Sequence, residues 1–227
     1  MVGFDLDGTL LRGENYQFSW ELIWNNLKFA KKIQQGLSRE YRNKAKEAKD
    51  DRQRIMAYRT WCQKACGHFM TRKVTRKQLA DMFAPLALTK NCRQALQQMR
   101  HEGFVLAVIS GGVNVLLEEK MPDYRELFDF VFINELLFDR NGALHDVVAT
   151  EYDFEGKAEA LSDICKRVGC HPKEEAAFVG DAFNDETIML TAGLSIAYPP
   201  KDEVVGGIAV SIKEDNLDLI RQMLMQE

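Results

Sequence analysis

Three short apolar runs, each closed by a polar residue, constrain this chain most. Val2-Gly3-Phe4 runs into Asp5-Leu6-Asp7-Gly8-Thr9. Phe104 to Ile109 runs into Ser110-Gly111-Gly112. Ala176 to Val179 runs into Gly180-Asp181. Apolar runs of this length, rich in β-branched and aromatic residues, read as strands buried on both faces. Helical patterns separate them, at 94–100, 113–120, 156–168 and 185–192, with Gly103 and Gly169 as stops. Strands alternating with helices predict a parallel sheet covered on both faces, an α/β Rossmann-like core. In such a sheet the three polar ends share one edge, where ligands bind.

Between the first run and the rest, residues 14 to 82 read as nearly all helix. Trp20, Ile23, Trp24 and Leu27 follow a helical spacing, as do Ile55, Tyr58, Trp61 and Cys62. Gly36 predicts a helix stop, Ser38 a new cap, Gly67 a turn, and Thr75 the cap of a short helix to Phe83. The charged stretch 39–59 reads as a solvated helix with i,i+4 ion pairs. Residues 84–88 read as a linker back to the main unit. The expected division is therefore an α/β core of residues 1–13 and 86–227, with an inserted helical cap of 14–85. Later in the chain, Asp139-Arg140-Asn141-Gly142 marks a hairpin turn, and short strands are expected at 130–133, 194–197 and 208–210.

Composition narrows the partners. The net charge of -4 argues against nucleic acid, and no apolar run is long enough to span a bilayer. The first residues have no basic segment of the kind that opens a secretory signal. Five cysteines, Cys62, Cys66, Cys92, Cys165 and Cys170, lack a disulfide framework and suggest reduced thiols in the cytoplasm. Cys62, Cys66 and His68 lack zinc spacing and read as buried side chains.

The polar ends form a chemical set. Asp5, Asp7, Asp181 and Asp185 supply carboxylates suited to Mg²⁺, which takes a few carboxylates and leaves room for phosphate. Lys157 would offset that negative charge, and Ser110 with the amides of Gly111 and Gly112 at a helix start would hold phosphate oxygens. Asp5 would attack phosphorus, and Asp7 would serve as acid and then base.

These motifs, Asp5-Leu6-Asp7-Gly8-Thr9, Ser110-Gly111-Gly112, Lys157 and Gly180-Asp181-Ala182-Phe183-Asn184-Asp185, resemble those of haloacid dehalogenase superfamily phosphatases. The resemblance is to the phosphoserine phosphatase-like branch. It implies Asp5 as nucleophile and Asp7 as acid/base. Mg²⁺ would be held by Asp5, the Asp7 carbonyl and Asp181, with Asp185 supporting the metal waters and Lys157. Asn184 would lie near the phosphate, and Glu14 stands where that branch reads the substrate ammonium. The chain lacks the Ser-Leu-x-x-Arg-Val segment that binds the substrate carboxylate there; Arg54 and Arg59 match by rough position only. Its cap is longer and more aromatic, with Tyr16, Phe18, Trp20, Trp24, Tyr58 and Trp61.

The expected activity is hydrolysis of a small-molecule phosphate ester by a monomer or homodimer. A phosphotransferase using the same phospho-aspartate, or a phospho-acceptor module without turnover, are the alternatives. Asp7 speaks against the module, which needs no leaving-group acid.

Overall fold

Phe4 and Val2 face one side of a sheet and Gly3 the other, as the two-residue period of a strand requires. They lie in β1 (Val2–Phe4), and the chain then makes β2 (Leu11–Arg12). Helices α1 (Ser19–Asn26), α2 (Lys31–Glu47), α3 (Asp51–Thr71) and α4 (Arg76–Met82) follow, and β3 (Ala87–Leu88) returns to pair antiparallel with β2. The expected linker is thus one strand of a two-stranded neck through which the helical insertion is entered and left. The structure is a computed structural model that describes residues 1–13, 18–151, 153–201 and 203–226. Glu14 and Tyr16 lie outside the described residues.

The rest of the chain continues α5 (Cys92–His101), β4 (Leu106–Val113), α6 (Asn114–Lys120), α7 (Tyr124–Leu127), β5 (Phe130–Phe138), β6 (Leu144–Val148) and α8 (Glu155–Val168). It ends with α9 (Pro172–Glu175), β7 (Ala177–Gly180), a 3₁₀ turn at Phe183–Asp185, α10 (Glu186–Thr191), β8 (Leu194–Ala197), α11 (Glu203–Ile208), β9 (Val210–Ser211) and α12 (Asp218–Leu224). Seven strands form one sheet in the order β6-β5-β4-β1-β7-β8-β9. Every pairing is parallel except the β5–β6 hairpin at one edge. One face packs on α5, α6, α12 and the insertion, the other on α8, α10 and α11. The α/β fold class is as the sequence predicts.

Four local expectations fail, the slightest being the strand at 208–210: Ile208 ends α11 and the strand lies at Val210–Ser211. Gly36 and Ser38 lie inside α2, and Gly67 lies inside α3. A lone glycine costs a helix only about 1 kcal/mol, which good helix formers on either side outweigh. The break comes earlier, at Leu27 to Ala30, where Lys28 takes φ 53°. The last failure is in β4. It does not end at Ile109 but continues to Val113, so the Ser110-Gly111-Gly112 amides do not open a helix. Ile109 pairs with Phe132 and Val113 with Asn134; four steps of β4 therefore face two of β5. The Ser110 to Gly112 segment is a bulge, the device by which strands re-aim side chains beside a site.

Two expected helix ends hold. Thr75 caps α4 in a reciprocal capping box with Gln78, and Gly169 closes α8 at φ 76°. All five cysteines are free, four of them buried. Among the described residues no helix is long and apolar enough to cross a membrane.

Candidate active site

β4, β1 and β7 are neighbours, so the bulge, the Asp5 turn and the Gly180-Asp181 turn meet at one sheet edge. The turn after β1 is made by Gly8 at φ 89°, a left-handed conformation that glycine adopts without strain. A Cβ there would stand 2.2 Å from Asp181 Oδ2, so the backbone can approach that carboxylate only as glycine.

Lys157 reaches the edge from the first turn of α8 and is 0% exposed. Its Nζ donates to Asp5 Oδ1 at 2.9 Å and to Asp185 Oδ1 at 2.5 Å, and lies 3.8 Å from Asp153 Oδ1. Burial alone would pull the ammonium pKa down, but Asp185, Asp5 and Asp153 hold it above its ordinary value. The other oxygen of Asp185 accepts the amides of Asp181 and Ala182 at 2.9 and 3.2 Å. Asp185 therefore has both oxygens engaged by protein.

Asp181 differs. Its Oδ1 is 3.5 Å from Thr9 Oγ1, and its buried Oδ2 has no partner among the described residues. Burial first, then the Asp185 and Asp5 carboxylates, push its pKa well up. An unpaired buried oxygen costs about 1–3 kcal/mol. Asp5, Asp181 and Asp185 each offer an oxygen within 4.8 Å of the others. An all-oxygen, negatively charged group with one uncommitted oxygen fits a hard divalent cation.

Asp7 takes its hydrogen bonds from another element. Ser19, at the start of α1, donates to it twice, from Oγ at 2.5 Å and from its amide at 3.2 Å. Burial nevertheless pushes the Asp7 carboxyl up to about 7, against the lowering effect of the Ser19 hydrogen bond.

The bulge is held from behind. Gly111 O accepts from Trp20 Nε1 at 2.8 Å, Tyr58 Oη at 3.0 Å and Asn134 Nδ2 at 2.7 Å. In a trans peptide the next N–H points the opposite way; the Gly112 amide donates to Ser110 Oγ at 3.1 Å. A Cβ on Gly111 would lie 2.5 Å from Asp153 Oδ2 and 2.8 Å from Tyr58 Oη, so no larger residue fits. Asn184 donates to Asp153 Oδ1 at 2.8 Å.

Asp5, Asp7, Ser110, Gly111, Gly112 and Asn184 line one cavity of about 520 Å³, whose walls include Trp20, Trp24 and Trp61 of the insertion. The structure thus brings together every site residue expected from the sequence except Glu14, which lies outside the described residues. Arg54 and Arg59 are directed elsewhere. Arg54 pairs with Asp51 at 2.5 Å and Glu155 at 3.6 Å, and Arg59 pairs with Glu151 at 2.9 Å.

Four residues escaped the sequence reading: Ser19, Tyr58 as a hydrogen-bond donor, Asn134 and Asp153. Asp153 had a signal, a carboxylate four residues before Lys157 at a helix start. The others reach the site only through tertiary packing.

Comparison with known proteins finds relatives in sequence and in fold. A phosphoserine phosphatase of Mycobacterium tuberculosis is 34% identical over 145 residues, 63% of this chain and 34% of that protein. One of Archaeoglobus fulgidus is 26% identical over 139 residues, 61% of this chain and 40% of that protein. The chain therefore spans about a third to two fifths of the length of these relatives. Among solved structures, a phospho-aspartyl intermediate analogue of phosphoserine phosphatase superposes with a TM-score of 0.71 at 20% identity, over 98% of this chain and 97% of that one. A substrate-bound phosphoserine phosphatase complex gives the same TM-score and identity, over 98% and 96%. At that identity the likeness speaks for the fold. The model of the haloacid dehalogenase-like hydrolases matches residues 1–193, and the chain belongs to that family.

Proposed function

We propose that the chain is a Mg²⁺-dependent phosphatase that hydrolyses a small-molecule phosphomonoester through phosphorylation of Asp5. One observation carries the proposal. Two carboxylates two residues apart line one cavity in opposite environments, Asp5 paired with buried Lys157 and Asp7 hydrogen-bonded to Ser19 and raised to about 7. Such a pair can divide its roles between a nucleophile and an acid/base, although both are aspartates.

In the first half-reaction an Asp5 oxygen bonds to phosphorus as the bond from phosphorus to the alcohol oxygen breaks. Asp7 gives its proton to that oxygen. In the second, Asp7 takes a proton from water, whose oxygen attacks phosphorus and frees Asp5 and phosphate. Ser110, whose Oγ is positioned by the Gly112 amide, holds a non-bridging oxygen, Lys157 balances charge on Asp5, and Asn184 faces the phosphate side of the cavity. Asp5, Asp181 and the Asp7 carbonyl would hold Mg²⁺, with Asp185 fixing Lys157 and the Asp181 loop behind them. Bound there, the cation supplies neutralisation of the transferring phosphoryl group.

The helices of residues 14–85 serve as a cap on a core of 1–13 and 86–227, because Ser19 and Trp20 come from the first and complete a site on the second. Free cysteines fit a reducing compartment such as the cytoplasm.

The test is rapid quench with a phosphorus-labelled ester and Mg²⁺. Label is expected on Asp5 in the wild type and nowhere in Asp5→Asn, whose amide cannot attack. Label on another residue, or normal turnover by Asp5→Asn, refutes the proposal.

A further inference from the structure

The chain has three tryptophans, and all three, Trp20, Trp24 and Trp61, line the cavity that contains Asp5 and Asp7. Phe18, Phe154 and Phe183 line it as well. An ester whose phosphorus sits at Asp5 must place its alcohol in the remainder of the same cavity, so these rings face the leaving group.

The wall is built with some strain. Phe154 takes φ 51° and ψ −124°, a conformation rare for any residue with a side chain. Packing against Tyr41, Tyr58 and Phe183, at centroid distances of 5.6, 6.1 and 5.8 Å, accompanies it. Strain of this kind persists where a site requires it. Phe183 stands between Asp181 and Asp185 and is 59% exposed, an aromatic ring at the rim. Trp61 stands 5.1 Å from Trp20, edge to face. The indole Nε1–H of Trp24 is buried with no acceptor among the described residues.

The described lining offers no forked donor for the carboxylate of an amino acid. Among the described residues no arginine lines the cavity, and Arg54 and Arg59 are paired with carboxylates elsewhere. Lys201 lines it, with Nζ 3.3 Å from the centroid of Phe18. Glu21 and Asp153 add negative charge. A substrate carboxylate would meet these and the negative faces of the rings.

We infer that the leaving group is an alcohol built on a flat apolar ring, so that the enzyme acts on ring-bearing alkyl phosphates rather than on phosphorylated amino acids. The inference rests on the hydrolase reading above and names the substrate class of the same site.

Because every tryptophan lines the cavity, intrinsic fluorescence reports its occupancy without turnover. The full chain in Mg²⁺ is titrated with phenylpropylphosphonate, propylphosphonate, the phosphonate analogue of phosphoserine, and phosphorylcholine. Burial of a phenyl ring predicts binding of the first at least about tenfold tighter than the others. Phe183→Ala, at an exposed position, and Trp61→Ala should each narrow that difference. In parallel, phenylethyl phosphate should be hydrolysed with a kcat/KM roughly tenfold or more above ethyl phosphate, whose alcohol is of similar acidity. Equal binding of all four, or preference for the phosphoserine analogue or phosphorylcholine, overturns the inference. Ring preference in binding without turnover of any ester overturns the hydrolase reading and still supports a ring-binding cavity. Turnover without ring preference overturns the ring inference alone.

Discussion

Asp5 and Asp7 are the same residue type, and their neighbours set them apart. Lys157 sits on one and Ser19 on the other. Ser19 aims Asp7 by a 2.5 Å hydrogen bond and offsets part of the effect of burial. If Asp7 protonates the leaving oxygen, the value of that aim depends on how much the oxygen needs a proton. Ser19→Ala should lower kcat on an alkyl phosphate roughly tenfold, the loss expected for one hydrogen bond to a charged group. On nitrophenyl phosphate, whose leaving group departs as a stable anion, the loss should be about twofold or less. Steady-state kinetics on both esters checks this. Equal losses would show that Ser19 only supports the fold. Nothing in the sequence around Ser19 announced this role, because it depends on where α1 enters over the turn after β1.

At the scale of elements, the apolar runs that become β1 and β7 were legible because strands buried on both faces leave continuous apolar sequence. The residues that follow those runs were legible for the same reason, since parallel strands put their ends together. The β4 bulge was not legible. Ser110-Gly111-Gly112 looks like a turn in one dimension, and only pairing to β5 shows it as two extra residues within a ladder. In the helical insertion Gly36 has the look of a stop but lies inside α2. α2 has no buried residue, and a Cβ at Gly36 would meet nothing within 4 Å. Gly36→Ala should therefore stabilise the protein by about 0.5–1 kcal/mol, through helix propensity alone. Urea unfolding measures it; a destabilised variant would mean that Gly36 has a contact partner. The aromatic wall was half visible. Helical spacing grouped Trp20 with Trp24 and Tyr58 with Trp61, but Phe154 and Phe183 come from loops of the sheet unit and join the wall only in three dimensions.

For the whole molecule, the strand order β6-β5-β4-β1-β7-β8-β9 places β1 in the centre, with partners that start at Leu106 and Ala177. The helices α2 and α3, by contrast, pack on each other across a short turn. Closing long loops is slow relative to local contact, so the order of assembly follows from the topology. In pulse-labelled hydrogen exchange during refolding, amides of α3 should become protected before those of Gly3 and Phe4; protection of β1 first would contradict this. On the ribosome the same geometry imposes a wait. At about 5–20 residues per second, roughly ten to thirty-five seconds pass between the emergence of β1 and that of β7. Both future edges of this apolar strand are open until β4 emerges, and the edge that β7 will cover stays open for the whole interval. Its protection then falls to the ribosome surface and to chaperones.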